Sequence, residues 1–598
     1  MITLGISAFY HDSAAALVKD GVVIAAAQEE RFSRKKWDHS LPLQAVRYCL
    51  DQAGMTLDQV DSVGFYDKPL LTFDRLLETY IAHAPRGLQS FVQAMPVWVK
   101  EKLLIQSKIL HGLNQLGLGQ VSAEQILFGF HHHSHAASAF FPSPFTRAAI
   151  LVLDGVGEWA TTTLGRGHDS SLELLQEIRF PHSLGMLYSA FTYYLGFRVN
   201  DGEYKVMGLA PYGQPNHVQK IYDSLIDVKD DGSFRLNMDY FNYCTGLTMT
   251  NKRFDALFDG HPPRTATEPL QQRHMDLARS IQVVTEEIML KLCRTLATLT
   301  GEENLCLAGG VALNCVANGR ILRSGLFKRL WIQPSAGDAG AALGVALAID
   351  QLQTSHRVLA AGDHDGMSGS YLGPQYDQPA IHQTLNRHGA RFHDLDDEIL
   401  FPRVAELLAN EQIVGWFQGR MEFGPRALGN RSILGDPRSA NMQKMLNLKI
   451  KYRESFRPFA PAVLAERCNE YFDLATPSPY MLLVAPVQPQ RWRQPSADDA
   501  KLTGLDQLRI RRSDIPAVTH VDHSARIQTV HRQTNPRFHR LLKTFEQLTG
   551  CGVLVNTSFN IRDEPIVCSP EDAYRCFMGS EMDILVLGNT LVDKKEQA

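Results

Sequence analysis

The sequence lacks the features that mark disulfide-stabilised, membrane-embedded or nucleic-acid-coating proteins. Its nine cysteines are scattered singly without a CxxC pair, so neither a disulfide framework nor a thiolate zinc site is indicated. No uninterrupted apolar run is long enough to span a bilayer, and the N-terminus lacks the basic start and apolar core of a signal peptide. The formal net charge of -4 gives no general attraction to nucleic acid or anionic lipid. We therefore expect a cytoplasmic protein without a nucleic-acid or membrane partner.

The length and composition predict a soluble protein of several domains. At 598 residues the chain is too long for one hydrophobic core, while 44% hydrophobic and 21% charged residues are ordinary for globular proteins. The clearest boundary is a polar, Gly/Ser-rich stretch, TSHRVLAAGDHDGMSGS, which has no apolar periodicity. We predict a domain over residues 1–354, a linker over 355–372 and a second domain over 373–598.

A histidine-rich stretch, FHHHSHAASAFFPSPF at residues 130–145, indicates metal chemistry. His131 and His135 are four apart in an alanine-rich run that ends at a proline pair, the pattern of a short helix. Side chains at this spacing share one helix face, so both imidazoles can reach one metal ion. Asp154, in a Gly-rich turn, and Asp338, at a predicted helix start, are candidate carboxylate ligands, and the set suits Fe, Zn or Mn. For the histidine pair alone, a solvated surface or a satisfied core helix is the alternative.

Two predicted β-hairpins carry polar loops at their bends. One begins the chain, with the apolar runs ITLGIS and VVIAAAQ on either side of a KDG turn, and the other spans residues 148–165. Such a pair is how the two lobes of the actin, Hsp70 and sugar-kinase superfamily begin, with the loops facing a nucleotide cleft. His11 and Asp12 lie in the first loop. An imidazole there is a natural base for a hydroxyl nucleophile, and the alternative is a turn capped by short polar side chains.

Two further segments have the composition of ligand-binding loops. An apolar strand runs into Gly309 and Gly310 and then into a helix carrying Asn314, which suits close approach to a nucleotide phosphate or equally a tight turn. The segment NDGEYKVMGLAPYG places Glu203 and Lys205 between glycines, as in a ligand-facing loop, although these opposite charges could simply pair.

The C-terminal part concentrates arginines in rigid Gly/Pro-rich segments, GRMEFGPRALGNRSILGDPR and KIKYRESFRPFAP. These cations are Arg420, Arg426, Arg431, Arg438, Lys451, Arg453 and Arg457. Arginine suits a bidentate grip on phosphate, and the alternative is a basic surface. A strand in GVLVNTSFNIRDEP then presents Asn556 and Arg562 as further phosphate contacts, and Lys36, in a basic run after the first hairpin, is another.

With these residues assembled, the chain resembles the O-carbamoyltransferase family of antibiotic, nodulation-factor and toxin biosynthesis along nearly its full length. The resemblance depends on YHDSAAAL, HHHSHAASAF, LDGVGEW, GEYKVMGLAPYG, GGVALNCVANG, GDAGAALG, GRMEFGPRALGNRSIL, FRPFAP and NTSFN, in that order. It implies an α/β fold: a two-lobed actin/Hsp70/sugar-kinase-like N-terminal domain and a C-terminal α/β domain similar to threonylcarbamoyl-AMP synthase. It also implies that carbamoyl phosphate and ATP give carbamoyl-adenylate and pyrophosphate, after which the carbamoyl group moves to a hydroxyl of a small molecule.

The resemblance assigns roles to particular residues. It implies a metal, expected to be Fe²⁺ with Mn or Zn as alternatives, on His131, His135, Asp154 and Asp338, and ATP with Mg²⁺ as the nucleotide. The nucleotide loops fall on Asp154, Gly155, Val156, Gly157, Gly309, Gly310 and Asn314. Carbamoyl phosphate and adenylate contacts are expected from Lys36, Arg426, Lys451, Arg457, Asn556 and Arg562. His11 with Asp12 is the expected catalytic pair, and His11, Glu203 and Lys205 are expected to bind the acceptor.

Three other functions fit parts of the same pattern. A tRNA threonylcarbamoyl-type transferase would share the N-terminal motifs, a non-catalytic ATP-binding sensor would share the cleft, and a sugar kinase would share the hairpins. The net charge and the fused C-terminal domain disfavour the first, and the intact metal tetrad disfavours the other two. Acceptor specificity is expected in the loops around residues 31–100.

Overall fold

The computed structural model describes residues 1–102, 104–360, 362 and 364–597, and these fall into two units. The first unit comprises Met1–Glu29 and Trp37–Gly366, and the second comprises Glu30–Lys36 and Met367–Ala598. The short helix α1 (Glu30–Ser33) thus belongs to the second unit although strands of the first precede and follow it. The predicted linker includes residues 361 and 363, which lie outside the described residues.

The first unit contains twelve strands and twelve helices among its described residues. The strands are β1 (Ile2–Ser7), β2 (Ala14–Lys19), β3 (Val22–Gln28), β4 (Ser62–Phe65), β5 (Ile126–Phe128), β6 (Arg147–Leu153), β7 (Ala160–His168), β8 (Ser171–Arg179), β9 (Ile226–Val228), β10 (Phe234–Leu236), β11 (Asn304–Ala308) and β12 (Arg329–Ile332). The helices are α2 (Leu43–Ala53), α3 (Pro69–His83), α4 (Leu88–Lys102), α5 (Ile105–Asn114), α6 (His131–Phe140), α7 (Leu184–Tyr194), α8 (Glu203–Leu209), α9 (Val218–Ser224), α10 (Lys252–Leu257), α11 (Gln272–Thr300), α12 (Cys315–Arg323) and α13 (Asp338–Thr354).

The first unit contains the same five-stranded sheet twice. One sheet has the order β3-β2-β1-β4-β5 and the other β8-β7-β6-β11-β12. In the first sheet, β1 pairs antiparallel with β2 of the hairpin β2–β3 and parallel with β4. In the second sheet, β6 pairs antiparallel with β7 of the hairpin β7–β8 and parallel with β11. Both predicted hairpins are therefore present, the first turning at Asp20 and Gly21 with left-handed φ angles of 49° and 77°. The predicted two-lobed α/β fold is confirmed.

Helices α6 and α13 pack tightly against each other and against the sheets. A Cβ atom on Gly344 of α13 would overlap the carbonyl oxygen of Ser134 on α6, and one on Gly5 of β1 would overlap the carbonyl oxygen of Ala342. Small residues thus let α13 approach both the first sheet and α6. This packing brings the starts of α6 and α13 to one place.

The second unit is built on a nine-stranded mixed sheet of order β13-β21-β20-β14-β15-β19-β16-β18-β17. Its strands are β13 (His393–Asp394), β14 (Val414–Phe417), β15 (Arg431–Gly435), β16 (Ala460–Leu464), β17 (Leu483–Pro486), β18 (Ser524–Val530), β19 (Val553–Ser558), β20 (Ile584–Leu587) and β21 (Thr590–Asp593). Its helices besides α1 are α14 (Gln378–Arg387), α15 (Asp397–Ala409), α16 (Met442–Met445), α17 (Cys468–Tyr471), α18 (Pro536–Thr549) and α19 (Pro570–Met578). This unit is α/β, as predicted.

Two arginines attach the segment Glu30–Lys36 to the second unit. Arg31 donates to the carbonyl of Gly424 at 3.0 Å, and Arg34 donates to the carbonyls of Ile566 and Pro565 at 2.7 and 2.8 Å. The segment therefore brings Lys36 into this unit. Among the described helices of the whole chain, none is both long and apolar enough to cross a membrane.

Candidate functional site

The four residues predicted to bind a metal come together in the first unit. His131 is the first residue of α6 and His135 lies one turn later, while Asp154 directly follows β6 and Asp338 opens α13. One ligand atom from each lies within 4.8 Å of the others. His131, His135 and Asp338 are buried, and Asp154 is partly buried.

The distances between the donor atoms suit a shared cation. The His131 Nε2 atom lies 3.2 Å from Asp154 Oδ2, 3.1 Å from His135 Nε2 and 3.7 Å from Asp338 Oδ1. His135 Nε2 lies 3.6 Å from Asp338 Oδ1 and 3.9 Å from Asp154 Oδ2. Donors bound at about 2.1 Å in a tetrahedral site would be separated by about 3.4 Å. The two imidazoles and two carboxylates therefore fit a divalent metal.

The electrostatics of the cluster explain why these groups are stable together. Burial raises the pKa of Asp154, but its contact with His131 and the charge of His135 outweigh burial and hold the pKa well below its usual range. Burial lowers the pKa of His131, but the contact with Asp154 and the charge of Asp338 raise it to about 10. The carboxylates are thus anionic and match a positive charge placed among them.

His11 and Tyr66 adjoin the cluster at Asp338. His11 Nε2 lies 3.8 Å from Asp338 Oδ2, its Nδ1 lies 3.2 Å from Asp12 Oδ2, and the Tyr66 hydroxyl donates to Asp338 Oδ2 at 3.4 Å. Burial lowers the pKa of His11, but the charge of Asp338 and the contact with Asp12 raise it to about 9. The predicted catalytic pair is thus brought to the four-residue cluster, whereas the sequence reasoning missed Tyr66.

Glu158 is a second residue that the sequence reasoning missed. Its Oε1 accepts hydrogen bonds from the backbone N–H groups of His131, at 2.9 Å, and Lys68, at 3.0 Å, so it caps the start of α6. Burial and the charge of Asp67 raise its pKa to about 7. Its place after the DGVG turn is visible in the sequence, but its contact with α6 depends on the tertiary fold.

The two glycine loops also meet at this cluster. The Gly310 N–H donates to Asp154 Oδ1 at 2.9 Å, which joins the Asp154–Gly157 loop to the loop after β11. Gly309 has a φ of 88°, and a Cβ atom there would overlap the carbonyl oxygen of Leu153. Around Gly155 a Cβ atom would meet nothing within 4 Å, so this loop has open space beside it. The arrangement suits a phosphate close to the backbone.

Other predicted residues of the first unit have structural partners. The Asn314 side chain caps α12 by accepting from the Ala317 N–H and exchanges two 3.1 Å hydrogen bonds with Gln282. The Gly157 N–H donates to the Ala160 carbonyl at 2.9 Å and Val156 lies between the loop glycines.

The expected ligand-facing loop around Glu203 and Lys205 is instead helix α8, so that structural prediction was wrong. Glu203 begins α8 and accepts hydrogen bonds from the Ser189 hydroxyl at 2.8 Å and the Asn200 N–H at 3.2 Å. An acidic residue in the first turn favours a helix, which explains the outcome. The Lys205 Nζ atom lies 5.7 Å from the centre of the Phe197 ring.

In the second unit, Lys451 is the centre of a buried polar cluster. It follows a π-helical turn, Leu446–Ile450, and is only 3% exposed. Its ammonium donates to the Ser558 carbonyl and hydroxyl and to Asn560 Oδ1, the last at 2.7 Å. Burial lowers its pKa well below the usual range, and the charges of Arg453, Arg457 and Lys36 lower it further. Lys36, Lys451 and Arg457 are therefore brought within electrostatic range of one another.

The remaining predicted contacts of the second unit differ in burial. Asn556 is buried, and its Nδ2 donates to Gln528 Oε1 at 2.7 Å. Arg426 is partly buried. The Arg562 side chain is 59% exposed and donates to the Tyr452 carbonyl at 3.3 Å. Arg562 is thus the most accessible of these three.

Three arginines that the sequence suggested as phosphate ligands make contacts within the second unit instead. Arg431 is fully buried, donates to backbone carbonyls including Pro374 at 3.0 Å, and lies 3.6 Å from the centre of the Phe417 ring. Arg438 contacts both oxygens of Asp436, and Arg420 donates to the carbonyl of Gly373 at 3.2 Å. These contacts reduce the number of arginines available for phosphate.

Comparison with known proteins assigns both parts of the chain to one family. Residues 2–347 match the family model described as carbamoyltransferase N-terminus, and residues 405–594 match carbamoyltransferase C-terminus. The chain therefore belongs to the carbamoyltransferase family, as its motifs predicted, and it is a transferase enzyme.

Similar proteins cover nearly the whole chain. An uncharacterised protein of Synechocystis, sll1178, is 60% identical over 99% of this chain and 97% of its own length. Nodulation protein NolNO of Sinorhizobium fredii is 36% identical over 98% of this chain and 79% of its own length. Nodulation protein U of Bradyrhizobium diazoefficiens is 28% identical over 95% of this chain and 93% of its own length.

Proposed function

We propose that this protein is an ATP-dependent O-carbamoyltransferase that works in two steps. Carbamoyl phosphate and ATP first give carbamoyl-adenylate and pyrophosphate. The adenylate keeps only the α-phosphate of ATP. Atom balance therefore requires that the phosphate of carbamoyl phosphate also leaves, as inorganic phosphate, and that a water molecule is consumed. The carbamoyl carbon then forms a bond to the hydroxyl oxygen of a small-molecule acceptor, and its bond to the AMP phosphate breaks.

The observation that carries the proposal is that each half of the chain matches a carbamoyltransferase model and contains its own buried charged cluster. The His131, His135, Asp154 and Asp338 cluster lies in the first unit, and the Lys451 cluster lies in the second. A cluster of imidazoles and carboxylates suits a metal ion, whereas a cluster of cationic side chains suits phosphate groups. We therefore assign carbamoyl transfer to the first unit and adenylate formation to the second.

For adenylate formation, Lys451 is the proposed phosphate-binding group. The nearby positive charges of Arg453, Arg457 and Lys36 disfavour the charged form of Lys451, and a phosphate bound among these groups would offset their repulsion. Arg426, Asn556 and Arg562 are proposed as further contacts to carbamoyl phosphate or the adenylate. A partly closed basic site would also protect the carbamoyl intermediate from water.

For carbamoyl transfer, His131, His135, Asp154 and Asp338 are the proposed metal ligands. A divalent ion there, Fe²⁺ by family resemblance or alternatively Mn or Zn, would offset the charge of the AMP phosphate and polarise the carbamoyl carbonyl. The backbone amides near Gly155 and Gly309 would orient the AMP phosphate, and ATP would be used with Mg²⁺.

His11 is the proposed base for the acceptor hydroxyl. Asp12 beside Nδ1 favours a proton on that atom, which leaves Nε2 to accept the hydroxyl proton. Asp338 and Asp12 together raise the pKa of His11 to about 9, and a cation held by Asp338 would lower that pKa. Glu203 and Lys205 are proposed as acceptor contacts.

The test is to measure pyrophosphate and inorganic phosphate released from the iron-loaded protein without acceptor or tRNA. We expect release that requires both ATP and carbamoyl phosphate, with about one phosphate per pyrophosphate by the atom balance above. Acetyl phosphate is the matched control and should give no release. ADP formation, or pyrophosphate release independent of carbamoyl phosphate, would contradict the proposal.

A further inference from the structure

Helix α3 has its polar side inward, the reverse of an ordinary surface helix. Its buried residues are Pro69, Thr72, Arg75 and Thr79, while Leu70 and Ile81 are 64% and 66% exposed. A helix that packs on an apolar core buries its apolar stripe. The inward stripe of α3 instead consists mostly of polar side chains.

Arg75 is the central residue of this stripe. It is only 7% exposed, and among the described residues none provides its guanidinium with a hydrogen bond or an ion pair. Its Cζ atom lies 5.1 Å from the centre of the Phe180 ring. Burying a cation without a partner is costly, so a ligand that pairs with it is the direct physical explanation.

The surroundings of Arg75 lead back to the proposed transfer site. Burial lowers the pKa of Arg75, and interactions with Tyr10, Asp67, Glu158 and Cys244 oppose this shift. Tyr10 interacts electrostatically with Asp338 and Asp154 of the four-residue cluster. Tyr10 therefore lies within electrostatic range of both Arg75 and the metal cluster, and its ring is 4.6 Å from that of its neighbour His11.

The chemistry of Arg75 favours an anionic group on the ligand. The two nearby carboxylates already have donors: the Thr72 hydroxyl contacts both oxygens of Asp67 at 3.0 and 3.1 Å, and Glu158 accepts two backbone N–H groups. Neither forms an ion pair with Arg75 within the described residues. A planar guanidinium left in this state matches a carboxylate, phosphate or sulfate, which it can bind with two parallel hydrogen bonds.

We propose that Arg75 binds an anionic group of the carbamoyl acceptor, which makes it a specificity-determining residue of the transfer reaction. The inference rests on the proposed function. The glycine loops that suit the AMP phosphate come from the second sheet, after β6 and β11, whereas α3 and the Tyr10 loop belong to the first. Arg75 is therefore assigned to the acceptor and not to the nucleotide.

The test uses three probes of nearly equal shape and different charge: glucuronate, glucose and glucosamine. Binding to the metal-loaded full-length protein is measured by saturation-transfer NMR or calorimetry. We expect glucuronate to bind more tightly than glucose and glucosamine, and Arg75→Met to weaken glucuronate binding about tenfold to a hundredfold. The control Arg166→Met, which removes an arginine 51% exposed on β7, should change nothing.

Several outcomes would overturn the proposal. These are no binding of any probe, a preference for glucose or glucosamine, or unchanged glucuronate binding in Arg75→Met. Loss of AMP binding in the same variant would place Arg75 at the nucleotide phosphate instead of the acceptor. A retained charge preference in Arg75→Lys together with its loss in Arg75→Met would support the proposal.

Stability separates ligand binding from a structural role. Because an unpaired buried charge does not favour folding, Arg75→Met should keep its metal content and a thermal midpoint equal to or above that of the wild type. A clearly lower midpoint would show that Arg75 supports the fold, and would overturn the inference. Failure of the proposed function would appear separately, as absent pyrophosphate release in the wild type.

Discussion

Replacing His131 tests the metal cluster against a close control on the same helix. His131 Nε2 lies 3.1 to 3.7 Å from donor atoms of all three other candidate ligands, whereas His133 is partly buried and is not one of the four. We expect His131→Ala to reduce bound metal from about one ion per chain to a small fraction, because each ligand is needed to complete a tetrahedral site. His133→Ala should keep the wild-type metal content.

The magnitude can be estimated from binding linkage. A metal at a hundred times its Kd stabilises the folded state by about 2.7 kcal/mol. At roughly 2 °C per kcal/mol for a unit of this size, the thermal midpoint of the first unit should rise by about 5 °C. The rise should be present in His133→Ala and absent in His131→Ala.

The assay combines elemental analysis of the purified protein with thermal unfolding in the presence and absence of added Fe²⁺ or Zn²⁺. If His131→Ala keeps full metal content and the same metal-dependent rise in midpoint, the four-residue site is refuted. If both variants lose metal equally, the effect reflects damage to α6 and not loss of a ligand.

The other predictions concern the second unit, a strained glycine and a pH response. Lys451→Met should reduce carbamoyl-phosphate-dependent pyrophosphate release at least about a hundredfold. The Lys449 side chain is 57% exposed, and the control Lys449→Met should leave the release unchanged. Equal effects of the two substitutions would contradict the assignment. Gly309→Ala should destabilise the first unit by about 3 kcal/mol or more, because the new Cβ atom would overlap the backbone of Leu153. The control Gly301→Ala also has a positive φ but open space around it, and should cost about 1 kcal/mol. Equal shifts of the thermal midpoint in the two variants would refute this. Burial and the charge of Arg273 lower the pKa of His274 in the folded protein to about 4. Between about pH 4 and 6.5 the unfolded chain therefore binds more protons than the folded protein. The free energy of unfolding should fall as the pH drops through that window. His274→Gln should remove up to about 3 kcal/mol of this dependence, measured as the midpoint difference between pH 7 and 4.5, and an unchanged slope would contradict it.

The position of the four candidate metal ligands was largely predictable from the sequence. The spacing of His131 and His135 predicts a shared helix face, and this is what α6 shows. Asp154 was found because it follows an apolar run in a Gly-rich turn, and Asp338 because it opens a predicted helix. Short-range patterns determine such positions, so they can be predicted before the structure is known.

Residues whose role depends on distant parts of the chain were not predictable. Glu158 caps the start of α6, the Tyr66 hydroxyl after β4 donates to Asp338, and Arg75 lies buried on α3. Nothing in local spacing reports these contacts. Likewise, the attachment of the segment Glu30–Lys36 to the second unit depends on carbonyl partners more than 390 positions away.

The arginine-rich segments illustrate a different limit. Their composition predicts phosphate binding, yet Arg420, Arg431 and Arg438 are occupied by backbone carbonyls or by Asp436. An arginine that stabilises a rigid loop and one that binds phosphate occur in the same Gly/Pro-rich context. Only the three-dimensional partners separate the two roles.

The central claim is that adenylate formation and carbamoyl transfer occur in different units. The most direct test is pyrophosphate release by His131→Ala with ATP and carbamoyl phosphate and without acceptor. We expect a rate close to that of the wild type, because the Lys451 cluster is intact in this variant. Loss of pyrophosphate release in parallel with loss of metal would contradict the division and place both steps at the metal cluster.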